Sequence, residues 1–176
     1  SNLLQSLIEI KTKNDNSLAF RCGCKSGVCG SCAVRVNGVE KLACKTIINE
    51  NDLIEPIKNS PIIKDLVVDV SHETFLIAKM GLSIDTNIDI NKVTQDDIKK
   101  VDLQSNCILC NSCYSSCPVY EVNKEFLGPF ALTRALRYVN DKKLVNKATI
   151  VDSIQTNGIW DCTLCSACTL VCPQGI

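Results

Sequence analysis

Twelve of the thirteen cysteines fall into three spacings, and those spacings limit what this chain can fold around. The first set, Cys24, Cys29, Cys32 and Cys44, reads C-x4-C-x2-C followed by a more distant cysteine, the plant-type spacing for a 2Fe-2S cluster. The second set is Cys107, Cys110, Cys113 and Cys117 with Pro118; the third is Cys162, Cys165, Cys168 and Cys172 with Pro173. Both read C-x2-C-x2-C-x3-C-P, the run of bacterial two-cluster ferredoxins, whose fourth cysteine ligates the other cluster. The pattern therefore predicts one 4Fe-4S cluster on Cys107, Cys110, Cys113 and Cys172, and another on Cys162, Cys165, Cys168 and Cys117. Linking the runs in this way closes a long loop through metal, so clusters and fold depend on one another.

Other uses of so many cysteines fit less well. Disulfide scaffolds are typically short secreted chains without metal-ligand spacing, and zinc modules usually separate their C-x2-C pairs by a dozen or more residues. At 176 residues, with 45% hydrophobic content, the chain is globular and long enough for two small domains. No run approaches the roughly 18 apolar residues of a membrane span, and no signal peptide is visible. Formal net charge is zero, with Lys and Arg interspersed among Asp and Glu, which argues against a nucleic-acid partner. Cluster ligands are thiolates, so the loaded protein is more acidic than this count implies.

Leu3, Leu4, Leu7 and Ile8 have helical spacing and lead into a polar turn at residues 13–16. Residues 17–20 read as a strand, and the segment 21–31 carries glycines at 23, 27 and 30, as a loop folded tightly around a cluster requires. Residues 33–36 and 39–43 flank Asn37-Gly38, a strong hairpin signal that returns Cys44 toward the other three ligands. Residues 66–70 read as a last strand after the Pro56 and Pro61 loops. From Ser71 onward helical patterns take over: Thr94 with Asp97 resembles a helix start, and Gly128-Pro129 opens a periodic segment, residues 130–138. The expected division is an α+β chain with a plant-type ferredoxin-like domain at 1–70 and a mostly helical domain at 71–176, the latter containing the cysteine run as an internal repeat.

These residues resemble the iron-sulfur subunits of succinate dehydrogenases and fumarate reductases. The carriers are Leu18-Ala19-Phe20-Arg21, the Cys24 to Cys32 loop, Leu42-Ala43-Cys44-Lys45-Thr46, Asp65-Leu66-Val67-Val68-Asp69, both late runs, and Phe126-Leu127-Gly128-Pro129 with Ala135 and residues 137–140. The resemblance implies a β-grasp ferredoxin domain followed by an α-helical ferredoxin domain with two clusters. It also implies a partner flavoprotein that carries FAD and the dicarboxylate site. No catalytic residue is expected in this chain, which shows no dinucleotide fingerprint. Family members begin with a β-hairpin and continue past the last run, so the sequence reads as part of a longer chain with that hairpin missing. The implied location is the cytoplasm or the cytoplasmic face of a membrane, reached through a partner, with the periplasmic face as the alternative.

Two departures narrow the resemblance. Many members replace the second cysteine of the last run and carry a 3Fe-4S cluster, whereas Cys165 is kept here. Ubiquinone-linked members carry tryptophan shortly after the first run's Cys-Pro, whereas Val119-Tyr120-Glu121-Val122 follows here. Both features are similar to the subgroup served by a thiol/disulfide couple or a methylated menaquinol, in which CCG-type domains follow or occupy a partner. A free-standing multi-cluster ferredoxin is the alternative. Outside the three sets, Cys22 is expected to be an inert or partly buried thiol, His72 a core or surface residue, Trp160 a packing residue, and Met80 part of a helix core.

Overall fold

The structure, a computed structural model, describes residues 2–81, 89–144 and 146–176. Its first element, α1 (Leu3–Lys13), starts where Asn2 and Gln5 form a reciprocal capping box. Such a box satisfies backbone N–H groups that a helix start leaves unpaired. The Leu3, Leu4 and Leu7 stripe predicted from spacing is buried. It packs on Val34, Val36, Leu42 and Ala43, beside Cys32 and Cys44. Burying each leucine contributes about 1.5–3 kcal/mol.

The hairpin forms as its turn chemistry dictates. Strands β1 (Ala33–Val36) and β2 (Val39–Leu42) pair antiparallel, with Val36 opposite Val39. Asn37 and Gly38 both have positive φ, 51° and 83°, as a two-residue type I′ turn requires. Strand β3 (Ile54–Glu55) joins the other side of β1, giving the order β2-β1-β3. A second, two-stranded sheet pairs β4 (Ile62–Lys64) with β5 (Val67–Val68), so the strand expected over 66–70 is shorter than its apolar run.

Residues 17–20 do not form the expected strand. They are held by local bonds, Leu18 N–H to the Asp15 carbonyl, Ser17 N–H to the Asp15 carboxylate and Lys11 Nζ to the Leu18 carbonyl, and by residues 65–66, where Leu66 N–H donates to the Ala19 carbonyl and the Asp65 carboxylate accepts from Ala19 N–H. A single long-range backbone bond does not make a ladder. Their strand-like composition serves packing instead, with Leu18 and Phe20 against the Leu3 core.

Helices follow. After α2 (His72–Lys79) comes α3 (Gln95–Ser105), which starts at the expected Thr94 and Asp97 capping box. Short helices α4 (Ser112–Ser115) and α5 (Pro118–Val122) carry the first late run, with Pro118 opening α5. Helix α6 (Gly128–Asn140), with Pro129 in its first turn, crosses to α7 (Lys147–Ser153), and α8 (Ala167–Leu170) lies in the last run. Tyr114 is the centre of the late core. It is fully buried, its hydroxyl donates to the Leu127 carbonyl at 2.6 Å, and its ring packs edge-on against His72 and Tyr120. Met80 is buried in that core, as expected.

A polar seam joins the sheet region to the late helices. The Ser115 hydroxyl donates to the buried Glu40 carboxylate at 2.6 Å and accepts from Lys58 N–H at 2.7 Å, while Asn59 donates to the Tyr114 carbonyl. Arg35 pairs with Glu40 and Glu55, so the buried carboxylate is both hydrogen-bonded and charge-compensated. Breaking such a pair by removing one partner is costly, because it strands a buried charge.

Candidate iron-sulfur sites

The loop from Arg21 to Ser31 is irregular, and three of its residues, Lys25, Gly27 and Gly30, take positive φ. This curls the chain until its own N–H groups face sulfur. Cys24 N–H points at the Cys29 sulfur, and the N–H groups of Ser26 and Val28 both point at the Cys24 sulfur, at 3.3–3.4 Å. The Ser26 hydroxyl and these amides pull the Cys24 thiol down to about 5. Burial pushes the Cys32 thiol up to about 11, with Cys44 and Cys29 as its charged neighbours. The hairpin closes this set by bonding Ala43 N–H to the Cys32 carbonyl, which places Cys44 beside Cys32 in the core. The four residues of the first set are thus linked pairwise: 24 to 29, 29 to 32, and 32 to 44.

The late runs fold alike. Leu109 and Asn111 have φ of 57° and 63°, and the matching Leu164 and Ser166 have 55° and 61°. A non-glycine residue at positive φ is uncommon, and two in each run at equivalent positions mark a backbone bent around something between the cysteines. Two cavities lie there. One is lined by Cys107, Cys110, Cys113 and Cys172, the other by Cys117, Cys162, Cys165 and Cys168. Each takes three cysteines from one run and the fourth from the other. The Cys113 thiol is raised by burial and by its neighbours, Cys172 among them, and Cys168 feels Cys117.

These cavities fit a cage of iron and sulfide. Among the described residues no three His, Cys, Asp or Glu side chains close on a single ion position. A tetrahedral zinc site would gather its sulfurs about 2.3 Å from one point, whereas these thiols are spread around a cavity wall. The ligating form is the thiolate, and burial raises the Cys110, Cys113 and Cys168 thiols. Loading therefore expels protons that the empty chain would keep.

The chain covers residues 1–74 of its own length with a match to the 2Fe-2S iron-sulfur cluster binding domain, and residues 104–176 with a match to the 4Fe-4S dicluster domain. It is 36% identical to the fumarate reductase iron-sulfur subunit of Haemophilus influenzae, over all of this chain and 77% of that one. This protein belongs to the iron-sulfur subunits of the fumarate reductase and succinate dehydrogenase family. Another relative is the 8-methylmenaquinol:fumarate reductase iron-sulfur subunit of Wolinella succinogenes, 34% identical over 99% of this chain and 59% of that one. Among solved structures, the Mycobacterium smegmatis Sdh1 complex in the apo form matches with a TM-score of 0.85 at 26% identity, covering 100% of this subunit and 78% of that chain.

Within this iron-sulfur subunit, Cys22 and Trp160 fall differently from expectation, while His72 lies where a core or surface histidine was expected. Cys22 is exposed, because the curled loop turns its start outward. Trp160 does not pack: it is 77% exposed, its indole N–H donating to Gln155. His72 sits at the core edge against Tyr114 and Tyr120. The spacing gave no sign of Glu73 and Asn111, which line the cavity of the Cys107 set. Burial pushes the Glu73 carboxyl up to about 7, with Arg134 and Asn111 opposing. Asn111 sits within the first late run, directly after Cys110, whereas Glu73 belongs to no motif and is brought there by the packing of α2. Among the described residues no helix is long and apolar enough to cross a membrane.

Proposed function

We propose that the subunit carries single electrons between a partner flavoprotein holding FAD and a distal donor or acceptor, through one 2Fe-2S and two 4Fe-4S clusters. The observation that carries this reading is the pair of cavities, each lined by four cysteines drawn from both late runs. In it, Cys24, Cys29, Cys32 and Cys44 hold the first cluster, Cys107, Cys110, Cys113 and Cys172 the second, and Cys117, Cys162, Cys165 and Cys168 the third. When bound, such clusters accept and release one electron at a time, which divides the two-electron chemistry of a flavin or dicarboxylate into single steps.

The chain's own residues set the conditions. Amides of Ser26 and Val28 stabilise negative charge on Cys24, and the second cavity is walled in part by Phe130, Ile108 and the buried Glu73. Hydrogen bonds to sulfur, local charge and burial are what tune such sites. The division at residues 1–70 and 71–176 separates the first site from the other two.

The distal partner is read as a thiol/disulfide couple, within a CCG-type domain, or a low-potential quinol. Retention of Cys165 and absence of tryptophan after Pro118 support it. Identity does not favour it: relatives of that type stand at 34%, against 36% for other fumarate reductase subunits. A position at the cytoplasmic face of a membrane, held by a partner, belongs to the same reading.

Anaerobic purification of the native complex, with its partners identified and iron, sulfide and spins counted, tests this function. A flavoprotein partner and three clusters per chain are expected. A free chain with no flavoprotein would favour an independent ferredoxin, and a colourless zinc protein without sulfide would overturn both.

A further inference from the structure

Gly30 lies between Cys29 and Cys32, and it is buried while every residue from 21 to 29 is exposed or half-exposed. What buries it is the first late run. A Cβ at position 30 would meet the Ile108 carbonyl oxygen at 2.6 Å, the Cys110 Cβ at 2.9 Å and the Cys110 Cα at 3.1 Å. Ile108 and Cys110 in turn pack on the core that contains Cys32 and Cys44. The neighbours of position 30 are backbone and a cysteine Cβ, so they cannot swing aside as the end of a flexible side chain would. The Ser115 and Asn59 seam holds the two halves together nearby.

We propose that Gly30 is a positioning residue that sets the separation between the cluster on the Cys24 set and the cluster on the Cys107 set, with Cys110 the ligand facing the first. The proposal rests on the cluster assignment given above. Absence of a side chain lets two ligand-bearing loops touch backbone to backbone. Electron tunnelling falls exponentially with distance, so a wedge of one methyl group at this contact acts on transfer without touching any ligand. In the step concerned, one electron leaves the reduced first cluster and reduces the second; no bond forms and no proton moves. The reductant is the partner flavin or, in the test, dithionite.

Gly27 supplies the control. It shares the loop and a positive φ of 82°, but a Cβ there would meet only the flexible Lys45 side chain. Gly30→Ala and Gly27→Ala therefore strain the same loop, and only the first pushes on Cys110. Gly30→Asn keeps the added Cβ while tolerating left-handed backbone better than alanine.

The test uses the intact complex, purified anaerobically, with microwave power saturation of the 2Fe-2S signal recorded before and after dithionite reduces the second cluster. In the unaltered protein, that reduction should speed relaxation of the first signal, because spin interaction depends steeply on separation. Gly30→Ala and Gly30→Asn should lower the half-saturation power several-fold and slow transfer between the two clusters, with iron and sulfide content retained; Gly27→Ala should leave the half-saturation power unchanged. Full cluster content with unaltered relaxation in the Gly30 variants overturns the proposal. So does an unaltered protein whose first signal ignores reduction of the second. Fewer than three clusters in the unaltered protein overturns the cluster assignment instead.

Discussion

The two late cysteine runs share spacing and backbone but not surroundings. In the first, Asn111, Ser112, Tyr114 and Ser115 are buried; in the second, α8 buries none of its residues. The contrast is sharpest at one repeat position, where Ser115 is 2% exposed and Leu170 is 84% exposed. Polarity alone predicts the reverse. The serine is inside because Glu40 and Lys58 need its hydroxyl, and the leucine is outside because none of the described residues covers it. A repeated ligand motif thus dictates its own bend, whereas the neighbours decide whether that bend becomes an interior or a surface.

Withdrawal of iron should have the largest effect on this contrast. With a chelator present, the late half should lose helical ellipticity, and hydrogen exchange should rise further in the last run than in residues 107–118, which keep the Tyr114 core. Equal loss of protection in both runs would mean that the clusters, and not the packing, hold the first run. Next, Cys165→Ala should convert the last cluster to a three-iron spin signal and leave the 2Fe-2S signal intact. The equivalent Cys110→Ala also removes a contact with the Leu3 core, so it should lower thermal stability where Cys165→Ala does not. An unaltered spectrum after Cys165→Ala would sink that ligand assignment.

Exchanging the contrasting residues gives a smaller effect. Ser115→Leu should cost about 2–5 kcal/mol in denaturation, since it overpacks the seam and leaves Glu40 and Lys58 N–H without their partner. Leu170→Ser should stay within about 0.5 kcal/mol for the subunit itself, as exposed substitutions usually do. Comparable costs would erase the proposed difference. Smallest is Tyr114→Phe, which keeps the ring and loses the bond to Leu127, at about 1 kcal/mol. Its repeat partner Thr169→Val, at an exposed site, should be near neutral in the same melts.

What could be read from the sequence was local. Asn37-Gly38 carries its own turn, Thr94 and Asp97 their own cap, and the three cysteine spacings their own loops, so each was legible without knowing what lies nearby. The failures depend on distant partners. Residues 17–20 have strand composition but bond with Lys11, Asp15 and the 65–66 turn, and no strand pairs with them among the described residues. Trp160 is large and apolar, yet among the described residues no element reaches over it. Glu73 reaches the second cavity only because α2 packs beside α4 and α6, and no spacing rule connects residue 73 to residue 111. The Gly30 contact was half legible: the glycine stood out as a loop residue, but its neighbour lies 78 positions later, at Ile108.

The openness of the last run also bears on chemical wear. Cys165 is exposed, with Leu164 at 85% exposure beside it, while the Ala167 amide and the Thr163 hydroxyl hold its thiol below the usual range. Exposed, thiolate-prone sulfur is what oxidants attack first. Between the two late runs, damage under air should therefore begin at the last one and reach the Cys113 side last, an order that timed exposure followed by mass spectrometry of the sulfinic and sulfonic products would record. The late half would age from the outside in, its open run before its enclosed one.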